Sequence, residues 1–202
     1  MARTALVTLL LSSTAVLAYI GYRALDLVPI PPEPVAALFA PAEPVEMLPE
    51  FTLENAAGVP RSIRSWPGKA LIVNFWATWC APCLREIPLL VEYQNTQREG
   101  SLQVVGIAVD RPDPVHAFME NMEFNYPVLI GQSDAMDAAA SFGVEFFGLP
   151  FSVFTDTAGR VLGVHTGELH AEDLDNLVGI LEALETGDTD VARARARLAG
   201  RM

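Results

Sequence analysis

The sequence predicts an α/β fold, a mixed central sheet with helices on both faces, and three observations carry that prediction. Two uninterrupted apolar runs, Ala70–Trp76 (ALIVNFW) and Leu102–Val109 (LQVVGIAV), have the length and β-branched content of buried strands. Stretches with helical spacing follow them. Near the end, Phe151–Thr155 and residues 161–164 are joined by Asp156-Thr157-Ala158-Gly159-Arg160, a turn composition that makes a hairpin. Strands alternating with helices and closed by a hairpin give a sheet of mixed strand direction.

The remaining elements follow in order. Residues 51–53 and 60–63, bridged by Asn55-Ala56-Ala57-Gly58, read as an N-terminal hairpin. Helical patterns cover residues 84–98, 114–122 and 133–142, the last with Ser133 as N-cap, and residues 126–130 form a short strand. A final amphipathic helix over residues 171–184 carries acidic side chains in its first turn, where the helix dipole favours them. The folded domain is thus expected over residues 48–186.

Outside it lie three segments. Residues 5–22 are uncharged and predominantly apolar between Arg3 and Arg23, long enough to cross a bilayer as a helix. Val16-Leu17-Ala18 is also a tolerable cleavage context, so residues 1–28 read as a membrane anchor or a signal segment. The anchor is favoured because the apolar run continues through Ile20, with a cytoplasmic amino end and an exported domain. Residues 29–47 are rich in Pro, Ala and Glu and read as an extended spacer, although residues 45–48 are apolar enough to pack on the domain. Residues 187–202, with Arg193, Arg195, Arg197 and Arg201, read as a solvated tail without an apolar face.

With 202 residues and 51% hydrophobic content the chain holds one ordinary domain and can bury its core. A net charge of −12 argues against nucleic acid as a partner, because both would be negative. Proteins or small molecules are the expected partners.

The chain has two cysteines, Cys80 and Cys83, separated by two residues and set between a buried strand and a helix. A sulfur at a helix N-terminus faces unpaired backbone N–H groups that lower its pKa, which makes Cys80 the expected nucleophile. Cys83, one turn further in, is placed to resolve a mixed disulfide by attacking Cys80. Pro82 shapes the turn and withholds a backbone donor. As a structural staple, so short a ring would constrain little of the unfolded chain. A zinc site would need two more ligands, and the three histidines, His116, His165 and His170, offer no second pair at zinc spacing. Redox chemistry through the Cys80–Cys83 disulfide, with no metal and no other cofactor, is the reading that remains.

The run Val73-Asn74-Phe75-Trp76-Ala77-Thr78-Trp79-Cys80-Ala81-Pro82-Cys83 resembles the active-site signature of the thioredoxin superfamily, and more closely its TlpA/ResA/CcmG-like extracytoplasmic branch. The likeness covers about residues 48–185 and includes Phe51-Thr52-Leu53, Tyr126-Pro127-Val128, Gly148-Leu149-Pro150 and Gly159-Arg160-Val161. It implies a thioredoxin-like three-layer fold with a helical segment inserted between the second core strand and the Pro150 turn. It also implies that Pro150 is a cis-proline facing the disulfide, with Leu149 offering backbone hydrogen bonds to a bound substrate chain. Pro88 matches a helix-kinking proline of the fold.

Asn74 stands where ordinary thioredoxins carry a buried aspartate, as is common in the resembled branch. Glu86, three residues after Cys83, matches the glutamate which that branch carries near its cysteines. It is expected to tune and relay the thiol proton, a carboxylate near a thiol raising that thiol's pKa; a solvated helix-surface acid is the alternative. Trp79 is expected to flank the nucleophile on the substrate surface, whereas Trp76 could equally be core. Phe151 replaces the small hydroxyl residue usual after the cis-proline and is expected on the substrate-binding surface; Phe146, Phe147 and Phe151 could form an apolar docking patch around the site, with ordinary core as the alternative for Phe146 and Phe147. His165 and His170 are left as surface residues.

The resemblance implies a thiol-disulfide oxidoreductase that reduces disulfides in exported client proteins, fed by a membrane dithiol donor and held at the membrane through its N-terminal helix, with cytochrome c maturation as one such role. The Ala81-Pro82 dipeptide leaves open an oxidant or isomerase using the same site, since direction depends on potential and partner. A tethered binding module with an incidental cysteine pair is the alternative of a different class. Peroxidase chemistry is disfavoured because Thr78 lies two residues before Cys80, not three.

Overall fold

The computed structural model describes Tyr19 and residues 45–96, 100–143 and 148–200. The expected anchor apart from Tyr19 and nearly all of the expected spacer lie outside the described residues, as do Phe146 and Phe147. Among the described residues no helix is long and apolar enough to cross a membrane.

Seven strands, β1 (Thr52–Asn55), β2 (Pro60–Ser62), β3 (Ala70–Trp76), β4 (Leu102–Val109), β5 (Val128–Gly131), β6 (Phe151–Thr155) and β7 (Val161–Thr166), make one sheet in the order β2-β1-β5-β4-β3-β6-β7. The two apolar runs pair in parallel at its centre, and β4 pairs in parallel with β5. β6 and β7 close one side as the expected hairpin, antiparallel to each other with β6 antiparallel to β3, and β1 runs antiparallel to β2 and β5. The predicted mixed sheet is present.

Side-chain alternation splits each central strand between two cores. Leu71, Val73 and Phe75 of β3 join Val105 and Ile107 of β4 under helix α3 (Ser133–Ala140), which buries Ala135, Ala138 and Ala139. Ala70, Ile72 and Trp76 face the other way, with Val104 and Ala108, toward helices α1 (Ala81–Thr96), α2 (Pro112–Met119), α4 (Ala171–Thr186) and α5 (Val191–Ala199). A strand buried on both faces reads as a continuous apolar run, which is why β3 and β4 were the clearest signals. Gly106 is a glycine because a Cβ there would come within 3.2 Å of both Trp76 Nε1 and Tyr126 Cε2. Its bare backbone admits the stacked and edge-on rings of Trp76, Phe118, Phe124 and Tyr126.

Several boundaries differ from expectation. Helix α1 starts at Ala81, not at residue 84, because a proline at the second helical position lacks only an N–H that would be unpaired anyway. It continues through Pro88. Helix α2 likewise begins earlier, with Pro112 in its first turn. Ser133 is not the N-cap of α3; Gln132 holds that position, and the Asp134 carboxylate accepts from the N–H groups of Gln132 (2.7 Å) and Ala135 (3.1 Å). The spacer ends sooner than residue 47: Val161 N–H donates to Glu46 O and Leu48 N–H to Gly159 O, so the chain from Glu46 is already paired with the β6–β7 turn.

The largest correction is at the C-terminus. Residues 191–199 are not a solvated tail but helix α5, capped by Asp190, whose carboxylate accepts from Arg193 N–H at 2.8 Å. Ala194 and Leu198 are buried, and Arg195 turns inward to donate to the carbonyls of Val161 (2.9 Å) and Glu46 (3.2 Å). Two buried residues four apart make too narrow a stripe to register as periodicity among arginines. Replacing Leu198 with Ala is expected to lower the free energy of unfolding by about 2–4 kcal/mol. Arg197→Ala, at an exposed position of the same helix, is expected to change it by less than about 0.5 kcal/mol. Denaturant unfolding of both variants checks this, and equal small effects would restore the tail reading.

Candidate active site

Strand β3 delivers its chain end to the site. After Trp76 the chain leaves the sheet through Ala77-Thr78-Trp79, and Cys80 N–H donates to Ala77 O at 3.2 Å. Helix α1 then begins, with Leu84 N–H bonded to Cys80 O. Cys80 and Cys83 are joined by a disulfide with their Cα atoms 5.3 Å apart. Cys80 Sγ accepts the N–H of Cys83 at 3.3 Å, the orientation in which an unpaired helix N-terminal amide favours a thiolate. No acidic residue stands in the first turn of α1 to oppose that. Cys83 is fully buried and Cys80 nearly so.

The loop before the cysteines is held by a residue the sequence reading missed. Asp110, just beyond the end of β4, accepts from Thr78 N–H at 3.1 Å and from Thr78 Oγ1 at 2.5 Å. Parallel pairing sets Trp76 beside Ala108, so the residues two further along each strand meet. That register was the available signal. Trp79, which follows Thr78, is 70% exposed, while Trp76 is buried in the core.

Strand β6 runs antiparallel to β3, with Phe151 opposite Phe75, so the start of β6 lies at the cysteine end of β3. The Leu149–Pro150 peptide bond is cis. Leu149 is half-buried, and Pro150 O accepts from Gly167 N–H at 2.9 Å. Phe151 does not belong to a docking surface: it is 2% exposed and stacks on Phe75, ring centroids 4.3 Å apart and planes at 10°. An inward position on a strand between two covered faces leaves its side chain no solvent to meet.

Glu86 is not a solvated acid. It is 1% exposed, on the buried side of α1 one turn beyond Cys83. Its Oε1 accepts from Asn74 Nδ2 at 2.7 Å and its Oε2 from the Leu169 N–H at 2.7 Å. Asn74, on β3, also donates to Ser152 Oγ on β6 at 3.0 Å. Burial pushes the Glu86 carboxyl up to about 7, against the opposing pull of the two donors. The buried Tyr126 hydroxyl is also pushed up, by burial first and by the Glu86 charge second. Asn74 and Glu86, both singled out in the sequence, share a hydrogen bond; Leu169 and Ser152, distant in sequence and carrying no motif, gave no sign of joining them.

His165 is half-buried, its Nε2 3.3 Å from Glu168 O, and His170 is exposed at the start of α4. Among the described residues no group of three or more His, Cys, Asp and Glu side chains is arranged to hold a metal ion.

Comparison with known proteins agrees with this geometry. The model of the AhpC/TSA family matches residues 44–163. The thiol-disulfide oxidoreductase ResA of Geobacillus kaustophilus is 29% identical over 128 residues, covering 63% of this chain and 71% of that protein. ResA of Bacillus subtilis is 28% identical over 144 residues, 68% of this chain and 75% of its own. The crystal structure of a thiol:disulfide interchange protein of the thioredoxin family from Chlorobium tepidum superimposes with a TM-score of 0.61 at 35% identity, covering 70% of this chain and 99% of that one.

A carboxyl raised from 4.5 to about 7 binds its proton more tightly folded than unfolded. Stability from this group is therefore full below about pH 4.5 and is lost as pH rises toward 7, by up to about 3 kcal/mol. In Glu86→Gln the loss between pH 5 and 7.5 is expected to shrink by about that amount. Urea unfolding of the oxidised chain at the two pH values measures it; parallel losses in both proteins would show that Glu86 titrates normally.

Proposed function

The chain belongs to the AhpC/TSA family and carries the dithiol site of a thiol-disulfide oxidoreductase, and from this premise we propose that it is a membrane-tethered reductant of disulfides in exported client proteins. The observation that carries the proposal is the buried Glu86 one turn along α1 from a buried Cys83, a carboxyl placed on the helix to take the proton that this thiol must lose. A binding module with an incidental cysteine pair has no need of such a group.

The reaction follows from the positions. In the reduced protein the Cys80 thiolate, favoured by the N-terminus of α1, attacks one sulfur of a client disulfide and expels the other as a thiolate. Cys83 gives its proton to Glu86 and attacks Cys80 Sγ, breaking the mixed disulfide and releasing the second client sulfur as a thiolate. The Cys80–Cys83 disulfide forms as the client disulfide is reduced by the same two electrons, and a membrane dithiol carrier returns the protein to its reduced form. Trp79 and the Leu149–Pro150 backbone provide the client surface, Trp79 by its exposure and Leu149–Pro150 by its place at the cysteine end of β3. Asn74 and Pro82 shape the site.

The apolar residues 5–22 support tethering with the domain outside the cytoplasm. The names of the ResA relatives support thiol-disulfide exchange, and the resemblance at residues 73–83 supports reduction of apocytochrome cysteines before haem attachment as the role within that class.

The reduction potential of the full chain, equilibrated with glutathione or dithiothreitol buffers, tests the direction. A value near or below about −270 mV is expected of a reductant, and one near about −120 mV would make the protein an oxidant. Cys83→Ala is expected to trap clients on Cys80 as mixed disulfides that diagonal gels display, and Cys80→Ala to trap none. No disulfide between Cys80 and Cys83 under any buffer would sink the redox reading.

A further inference from the structure

Two consecutive residues of α1 grip two consecutive residues of the connection between β7 and α4. Arg85 forms a bidentate ion pair with Glu168: Nε lies 3.1 and 3.0 Å from the two carboxylate oxygens and Nη2 2.5 Å from Oε2. The next residue, Glu86, accepts the Leu169 N–H. Residues 167–170 reach both sides of the site, since Gly167 N–H also donates to Pro150 O. Leu169 is 1% exposed, and the Glu168 carbonyl lies 3.3 Å from His165 Nε2.

We propose that Arg85 and Glu168 are positioning residues for Glu86: their ion pair latches residues 167–170 onto α1, and the latched connection holds the Leu169 N–H on the carboxylate and keeps water off it. The catalytic consequence rests on Glu86 receiving the Cys83 proton, as proposed above; the latch itself does not. Burial is the largest influence on the Glu86 carboxyl, so whatever controls water access there controls its proton affinity.

The charged and titratable groups around Glu86 make the test decisive. On α1 stands Arg85, with Cys80 and Cys83 tied as a disulfide; from the connection come Glu168 and His170, with His165 on β7; Tyr126 faces it from beside β5. The neighbours on β3 and β6, Asn74 and Ser152, are neutral. Glu168 raises Glu86 by like charge and His170 lowers it. Removing the Arg85 cation leaves Glu168 unneutralised, so charge alone would move Glu86 upward. Opening the latch loses the Leu169 donor, which water replaces on the carboxylate, and lifts the burial that is the largest influence on it, so the net movement is downward. The two accounts differ in sign.

The experiment follows the side-chain carboxyl of Glu86 by 13C NMR against pH in the oxidised full chain, its signal assigned by its loss in Glu86→Gln. In Arg85→Met the midpoint is expected to fall by about one unit, a tenfold change in the ionisation constant. The exchange Arg85→Glu with Glu168→Arg, which rebuilds the pair with its charges reversed, is expected to bring it back. An unmoved or raised midpoint in Arg85→Met overturns the latch, and so does a lowered midpoint that the exchange fails to restore. The pH profile of Cys80 alkylation in the reduced chain separates this from the function. If the Glu86 midpoint falls in Arg85→Met while Glu86→Gln leaves the alkylation profile unmoved, the latch stands and the proton role fails. If Glu86→Gln shifts that profile while Arg85→Met leaves the Glu86 midpoint alone, the proton role stands and the latch fails.

Discussion

A buried carboxylate has to be answered by donors, and here the answers come from three other parts of the chain. Glu86 of α1 is met by Asn74 of β3 and by the Leu169 N–H of the β7–α4 connection, and Asn74 in turn by Ser152 of β6. Leaving such a charge without partners would cost several kcal/mol, more than most single contacts contribute. The hydrogen bonds therefore dictate how the helix, the sheet and the connection must sit. The cysteines, one turn earlier on the same helix, inherit that placement.

The sheet makes this possible by parity. Asn74 lies between Ile72 and Trp76 on the face of β3 that α1 covers, and its antiparallel partner is Ser152. A shift of one residue would send the amide into the other core, among Val73, Phe75 and Phe151. The same pairing sets Thr78 beside Asp110 and brings the start of β6, with its cis peptide bond, to the end of β3. A single strand thus fixes the reach of the loop, the direction of the helix and the place of the client edge.

What could be read from the sequence and what could not divide along physical lines. Strands β3 and β4 announce themselves because two covered faces demand unbroken apolar runs, and the cysteine pair because its chemistry needs that spacing at a strand-helix junction. The resemblance supplied the cis bond at Pro150, which turn composition alone could not. Helix α5 escaped because its exposed face mixes Arg193 and Arg197 with alanines and its contact with β7 rests on Ala194, Leu198 and a backbone-directed Arg195. Phe151 was misjudged because an aromatic beside an active-site proline reads alike whether it points out or in, and only its stack on Phe75 decides. Asp110 and Leu169 were invisible for another reason: each acts on a residue dozens of positions away, through a register or a turn that exists only in the folded chain.

The neutral amide at position 74 follows from the same constraint. As a carboxylate, Glu86 needs donors, and Asn74 Nδ2 and the Leu169 N–H provide one for each oxygen. An aspartate in place of Asn74 would offer none and would set two like charges side by side. Once Glu86 takes a proton, one of its oxygens becomes a donor that faces an N–H, and the site needs an acceptor instead. Asn74 Oδ1 is buried and has no hydrogen-bond partner among the described residues. The amide thus carries both a donor and an acceptor, whereas an ionised aspartate would carry acceptors only and leave the ionised Glu86 without its donor on β3.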